Sequence, residues 1–373
     1  MKNFILVENQ ATQVNLLIIN QHREDALGGS EIQCDLIGTY MSDFGHDVVY
    51  YAVDGDQDRY NTNYDVMAEP LNRKNLSRII SEHEPDIVYW RYNKHKFLRS
   101  AFLMKKYGVK TVFGISSVYD TQKWRWYKDI NIETPRDLIS TLYGVFSTPI
   151  KNRVNHFGYY FVSGIVSLNP DLSNRVYVEP QTTIVNSMST NSESFEWPNK
   201  FVFWVANLKS TKKPDIFVKL AKEFENSNID FLMVGHIQDK KYNYILDDTR
   251  LPSNFHYLGP KTPEEVNGIL KESLFLVRTD DVEGFGNNFI QAWLQGKPTV
   301  TLHEGTGGFI KEKEIGFVSG DFKNFVEDTR TLINNPELRS SMGRRAKSFA
   351  KTKFSPEINM RKYEDFFEQV LGK

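Results

Sequence analysis

The chain has 373 residues, 40% hydrophobic and 13% aromatic, with a formal net charge of −1. That length and apolar content predict two domains, and the near-neutral total excludes a general nucleic-acid binder. A single cysteine, Cys34, excludes an internal disulfide, and no apolar run approaches the ~18 residues of a membrane span, so the prediction is a cytoplasmic protein.

Charge is unevenly spread. Residues 1–72 hold 3 Lys and Arg against 12 Asp and Glu, whereas residues 73–153 hold 16 against 7. Two readings fit this: a basic face that meets anionic lipid or an anionic acceptor, or mutual neutralisation within one domain.

Strands alternate with helices from end to end, the pattern of parallel sheets flanked by helices. Residues 14–20 read as a buried strand. The turn Gly28-Gly29-Ser30-Glu31 then opens a helix to about Phe44, with Ser30 suited to capping and Glu31 to the positive end of the helix. Residues 47–53, 85–90, 109–113 and 161–168 read as further strands, and 95–107 as a helix. That helix mixes Lys94, Lys96 and Arg99 with Phe97, Leu98 and Met104. It fits either a membrane-surface patch, together with the Trp and Arg run at 123–128, or ordinary packing on the sheet. Trp90-Arg91-Tyr92 and Ser116-Ser117-Val118-Tyr119-Asp120 follow strands, so their side chains belong at the carboxyl edge where open α/β sheets bind ligands. Asp120 is the nearest candidate base for an acceptor hydroxyl, with a helix cap as the structural alternative.

Residues 186–199 are rich in Ser, Thr and Asn and read as a linker. A second α/β domain begins with a strand at 200–206, continues through 231–235, and has a third strand at 273–277. Its first strand leads into Asn207-Leu208-Lys209-Ser210-Thr211-Lys212-Lys213, a basic loop before a helix at 213–225. The third leads through Asp280-Asp281, read as a solvated acid pair, into Glu283-Gly284-Phe285-Gly286-Asn287-Asn288 and a helix ending at Gly296-Lys297-Pro298. A strand, glycine turn and helix in this order aim backbone N–H groups at an oxyanion. From Glu337 the tail is helical, broken at Ser355-Pro356, with a last amphipathic helix at 358–371. No arrangement of His, Cys or acids has metal-ligand spacing, and the full Gly-x-Gly-x-x-Gly fingerprint of dinucleotide folds is absent.

Glu283-Gly284-Phe285-Gly286, followed after four residues by Gln291, resembles the C-terminal signature of the family 4 glycosyltransferases. Several further expectations follow from that resemblance. The fold would be GT-B: two Rossmann-like α/β domains, 1–190 and 191–355, facing across a cleft, with 356–373 crossing back to the first. Glu283 would contact the donor sugar, and Gln291 would stand where the family has a ribose-binding Glu. Lys212 would neutralise the donor diphosphate, with Asn207 in place of the family's Arg. Gly28, Gly29, Phe285, Gly286, Asn287 and Asn288 would complete the donor site. Ser116 and Ser117 stand where many members carry a His. The implied reaction is retaining transfer of a sugar from a UDP- or GDP-linked donor, without metal, to a glycan or lipid-linked acceptor of the bacterial envelope. Asn207, Gln291 and the missing His keep two alternatives open: a silent nucleotide-sugar-binding subunit, and a GT-B sugar-nucleotide epimerase.

Overall fold

The computed structural model describes residues 13–373, except 27, 58–59, 93, 95, 117, 125–134, 169–171, 173, 247–250 and 281–285; for 118 and 135–142 it describes backbone only. The chain forms two units: Met1–Asn186 with Asn359–Lys373, and Ser187–Ile358.

The first unit is built on a seven-stranded sheet with the order β3-β2-β1-β4-β5-β6-β7. All its pairs are parallel. The strands are β1 Asn15–Asn20, β2 Asp47–Val53, β3 Asp65–Glu69, β4 Ile87–Trp90, β5 Lys110–Ile115, β6 Gly164–Ser167 and β7 Gln181–Thr183. Five of these coincide with the apolar runs of the sequence, since strands covered on both faces bury nearly every side chain. The sequence pattern misses β3 and β7. Both lie at sheet edges and are half exposed; β3 mixes polar with apolar residues and β7 is wholly polar, so neither carries a continuous hydrophobic run.

Chain order reverses between β1 and β4, which opens a crevice at the carboxyl ends of these strands. Gly28 stands above β1 as the cap of the helix Gly29–Asp43, and Arg91 and Tyr92 follow β4 directly. One face of the sheet is covered by the last helix, Pro356–Leu371, whose Met360, Tyr363, Phe366, Phe367 and Val370 recur at helical spacing. They pack with Ile18, Tyr89, Val112 and Val166 into one core.

Cys34, on the helix after β1, is fully buried, and burial pushes its thiol up to about 12. His22 is also fully buried. Its Nδ1 accepts the Glu24 N–H at 3.3 Å, so Nε2 carries the hydrogen and meets the Tyr64 hydroxyl at 2.8 Å, which donates to Asp35 at 2.6 Å. Burial, reinforced by Arg23 and opposed by Asp25, lowers the His22 pKa to about 4. The unfolded chain therefore takes up a proton that the folded chain refuses between pH ~6.5 and ~4, and stability is lost as pH falls through that window. Melting temperatures of the wild type and His22→Gln between pH 7 and pH 5 should show a shallower decline in the variant, leaving the share of His156, which is lowered in the same way. Equal slopes would remove His22 from the account.

The second unit holds a six-stranded sheet of order β10-β9-β8-β11-β12-β13. Its pairs are also all parallel. The strands are β8 Lys200–Val205, β9 Ile229–Val234, β10 Phe255–Tyr257, β11 Leu276–Arg278, β12 Thr299–Thr301 and β13 Gly316–Val318. The reversal of order here falls between β8 and β11. The expected strand at 273–277 is displaced: Ser273 caps the helix Pro263–Glu272, and the strand runs on to include Arg278.

Gly235, after β9, has φ +149°, and a Cβ there would lie 1.8 Å from the Ala206 carbonyl oxygen. Gly235→Ala should therefore destabilise the second unit by about 2 kcal/mol or more, because positive φ and a backbone clash act together. A thermal midpoint unchanged from wild type would refute this. Among the described residues no helix is long and apolar enough to cross a membrane.

Candidate active site

The reversal between β8 and β11 brings together the two loops that the sequence singles out in the second unit. After β8 the chain passes Asn207, half-buried, and makes a short turn over Ser210–Lys212 before the helix Pro214–Lys222. After β11 it passes Thr279 and Asp280, and after residues 281–285 it enters the helix Asn287–Leu294, capped by Gly286. Glu283 and Phe285 lie outside the described residues.

Side chains fix the two loops to each other. The Thr279 hydroxyl donates to the Lys212 carbonyl at 2.7 Å and accepts the Trp204 indole N–H at 3.0 Å. Lys212 Nζ donates to Asp280 Oδ2 at 3.0 Å. Arg278 grips the same carboxylate from the other side, Nε to Oδ1 at 2.8 Å and Nη2 to Oδ2. Asp280 is not the solvated acid that the sequence suggests. It is 5% exposed, and the charges of two cations decide its state. Burial raises its pKa, but Arg278, by charge and hydrogen bond, and then Lys212 outweigh that and hold it below the usual carboxylate range.

Arg278 is the residue that sequence reasoning missed. Its signal was available: a cation ending an otherwise apolar strand, two residues before an acid. It is buried at 5% exposure, and its guanidinium lies 4.2 Å from the centroid of the Phe289 ring.

The Asn288 side-chain amide donates to the Val205 carbonyl at 2.9 Å, so it ties the helix start to the end of β8. That leaves the backbone around Gly286, Asn287 and Asn288 as the part of the helix start suited to an anion. Gln291 is buried. Its amide nitrogen is committed to Asn267 Oδ1 at 3.2 Å and the Pro263 carbonyl at 3.4 Å, both from the helix Pro263–Glu272 or its start.

The first-unit candidates form a separate set. A Cβ on Gly28 would lie 2.2 Å from Glu31 Oε2, because the Glu31 carboxylate folds back over the cap of the helix that begins with Gly29; Ser30 holds its Oε1 at 2.7 Å. Asp120 accepts both the N–H and the hydroxyl of Ser116, at 2.9 and 3.1 Å, which is the capping role. In the basic segment, the buried Lys94 donates to the Gln122 carbonyl and the exposed Lys96 to the Leu71 carbonyl, each at 2.8 Å. Phe97, Ala101, Leu103 and Met104 of its helix fill the core. Among the described residues no cluster of three or more His, Cys, Asp or Glu is arranged to hold a metal ion.

Residues 189–349 match the family model for glycosyl transferases group 1. That match covers less than half of the chain, and the chain as a whole has a GT-B fold. Over 96% of this chain and all of the other, it superposes on the crystal structure of Anabaena HepE, solved with UDP and glucose, at a TM-score of 0.69 and 14% identity. The lipopolysaccharide glycosyltransferase WaaG gives 0.67 and 15% over 94% of this chain and 99% of its own. At these identities the likeness carries the GT-B fold alone. Among curated relatives, an uncharacterized glycosyltransferase of Methanocaldococcus jannaschii is 28% identical over 51% of this chain and 52% of its own. The poly(ribitol-phosphate) alpha-N-acetylglucosaminyltransferase of Staphylococcus aureus is 23% identical over 55% and 44%. The chain thus spans about half the length of the curated relatives it matches.

Proposed function

We propose that the protein transfers a sugar from a nucleoside-diphosphate donor to an acceptor hydroxyl, with retention at the anomeric carbon as in family 4. The observation that carries this reading is the junction of the second unit: Lys212, anchored at the carboxyl ends of β8 and β11 beside the start of the helix Asn287–Leu294. An ammonium and a row of backbone N–H groups meet the demand of this reaction, in which negative charge grows on the departing diphosphate. Lys212 and the amides of residues 286–288 take up that charge, and Glu283 orients the sugar. The diphosphate oxygen that is freed accepts the acceptor's proton, so no protein nucleophile is required. UDP is the first donor nucleotide to test. A cell-envelope polymer is the acceptor class, in keeping with the polymers named for two Staphylococcus aureus relatives, poly(ribitol-phosphate) and capsular polysaccharide.

The test is release of nucleoside diphosphate from UDP-glucose, UDP-N-acetylglucosamine and GDP-mannose, with and without glycan acceptors, followed by analysis of the anomeric configuration of the product. Acceptor-dependent release supports transfer. Tight binding with no release would identify a silent nucleotide-sugar-binding protein, and an altered sugar released without acceptor would identify an epimerase.

A further inference from the structure

Arg278 has more donor capacity than its neighbours use. Nε and Nη2 are spent on Asp280, whereas Nη1 is buried and has no hydrogen-bond partner among the described residues. A guanidinium N–H left in this state costs free energy unless something arrives to accept it. Its position says what that is. A Cβ on Gly286 would lie 3.2 Å from Nη1, so this N–H fronts the cap of the helix Asn287–Leu294, where the backbone also favours negative charge. Nη1 is buried at this cap, and no side chain of Gly286 separates it from the helix start, which Asn288 Oδ1 also faces, 2.7 Å from the same Cβ position.

The charges agree. Arg278, Lys212 and Asp280 form one cluster of two cations and one anion, with a formal sum of +1, and both cations are oriented by the same carboxylate. Asn207, at the end of the neighbouring strand, adds no charge. The Phe289 ring centroid lies 4.2 Å from the guanidinium carbon, a cation–π contact that helps to hold the fork.

We infer that Arg278 donates through Nη1 to a phosphate oxygen of the bound nucleoside diphosphate, and that Asp280 is a positioning residue that holds both Arg278 and Lys212 for that contact. This rests on the proposed reading of the site as one for a nucleoside diphosphate. It adds a second cation from a strand that the Lys212 loop does not include.

The experiment compares UDP with uridine, and GDP with guanosine, by titration calorimetry on the wild type, Arg278→Gln and Arg278→Lys. Each variant is first checked for a wild-type circular dichroism spectrum. Loss of one charged hydrogen bond predicts diphosphate affinity lower by roughly 10- to 100-fold, with nucleoside affinity within twofold of wild type. Arg278→Lys keeps a charge for Asp280 but cannot span both partners, so it should also lose diphosphate affinity while keeping the fold if the Gln variant does not. Diphosphate affinity within twofold of wild type in a folded variant, or an equal loss for nucleoside and diphosphate, overturns the role of Arg278 and leaves the transferase reading standing. No binding of either diphosphate by the wild type overturns both.

Discussion

Removing residues 359–373 should leave the first unit unable to fold. That segment contributes Met360, Tyr363, Phe366, Phe367 and Val370 to the core beneath β1, β4, β5 and β6, each no more than 8% exposed. The fit is close: a Cβ on Gly164 of β6 would lie 2.8 Å from Val370 and 3.2 Å from Phe366. Polar contacts add to it, since His46 Nε2 meets Glu364 at 3.1 Å in a buried pair and Arg91 reaches the Tyr363 hydroxyl at 3.5 Å. Deleting a single buried Phe costs about 3–5 kcal/mol, and a domain's whole stability is about 5–15 kcal/mol. Losing five such side chains exceeds that margin. Urea unfolding followed by tyrosine and tryptophan fluorescence should show no cooperative transition for this unit in the truncated chain. Phe366→Ala alone should lower the midpoint by the share of one residue. A truncated chain that unfolds at the wild-type midpoint would show that the helix is an accessory.

The second large effect concerns rate. Lys212→Ala should lower turnover by roughly 10²–10³, equivalent to about 3–4 kcal/mol of transition-state stabilisation. It should do so with little loss of stability, because Asp280 keeps its bonds to Arg278 and the Thr279 hydroxyl still holds the backbone at residue 212. Asp280→Asn should behave differently. It leaves the buried Arg278 without its carboxylate and should cost about 3 kcal/mol of stability as well as activity. Thermal melts beside initial rates separate the two variants. A Lys212→Ala protein with near-normal turnover would place the leaving-group charge elsewhere.

Much of this was legible in the chain itself. Residues 14–20 and 200–206 announce buried parallel strands because nearly every side chain there is apolar, and the turns at Gly28 and Gly286 mark helix starts by composition. What stayed hidden depended on neighbours distant in sequence. The strands β10, β12 and β13 are only three residues each, too short for a period to show. Asp280 looks like a surface acid until Lys212, 68 residues earlier, is seen to share it with Arg278. Gln291 and Asn288 read as ligand-binding amides on a helix face. The fold turns the half-buried Asn288 towards the Val205 carbonyl and Gln291 towards Asn267, the latter because a buried amide must find a partner. Asp120 carries two readings in the sequence, helix cap and general base; its bonds to Ser116 fit the cap and leave the base a proposal.

The sealed position of Cys34 has a practical consequence. Its sulfur is out of reach of solvent and stays in the thiol form at neutral pH, so maleimides and disulfide reagents have nothing to attack in the native protein. A cysteine introduced at an outward-facing residue such as Tyr177 or Tyr160 would then be the sole labelling point, and a single dye could be placed there without first deleting the native sulfur.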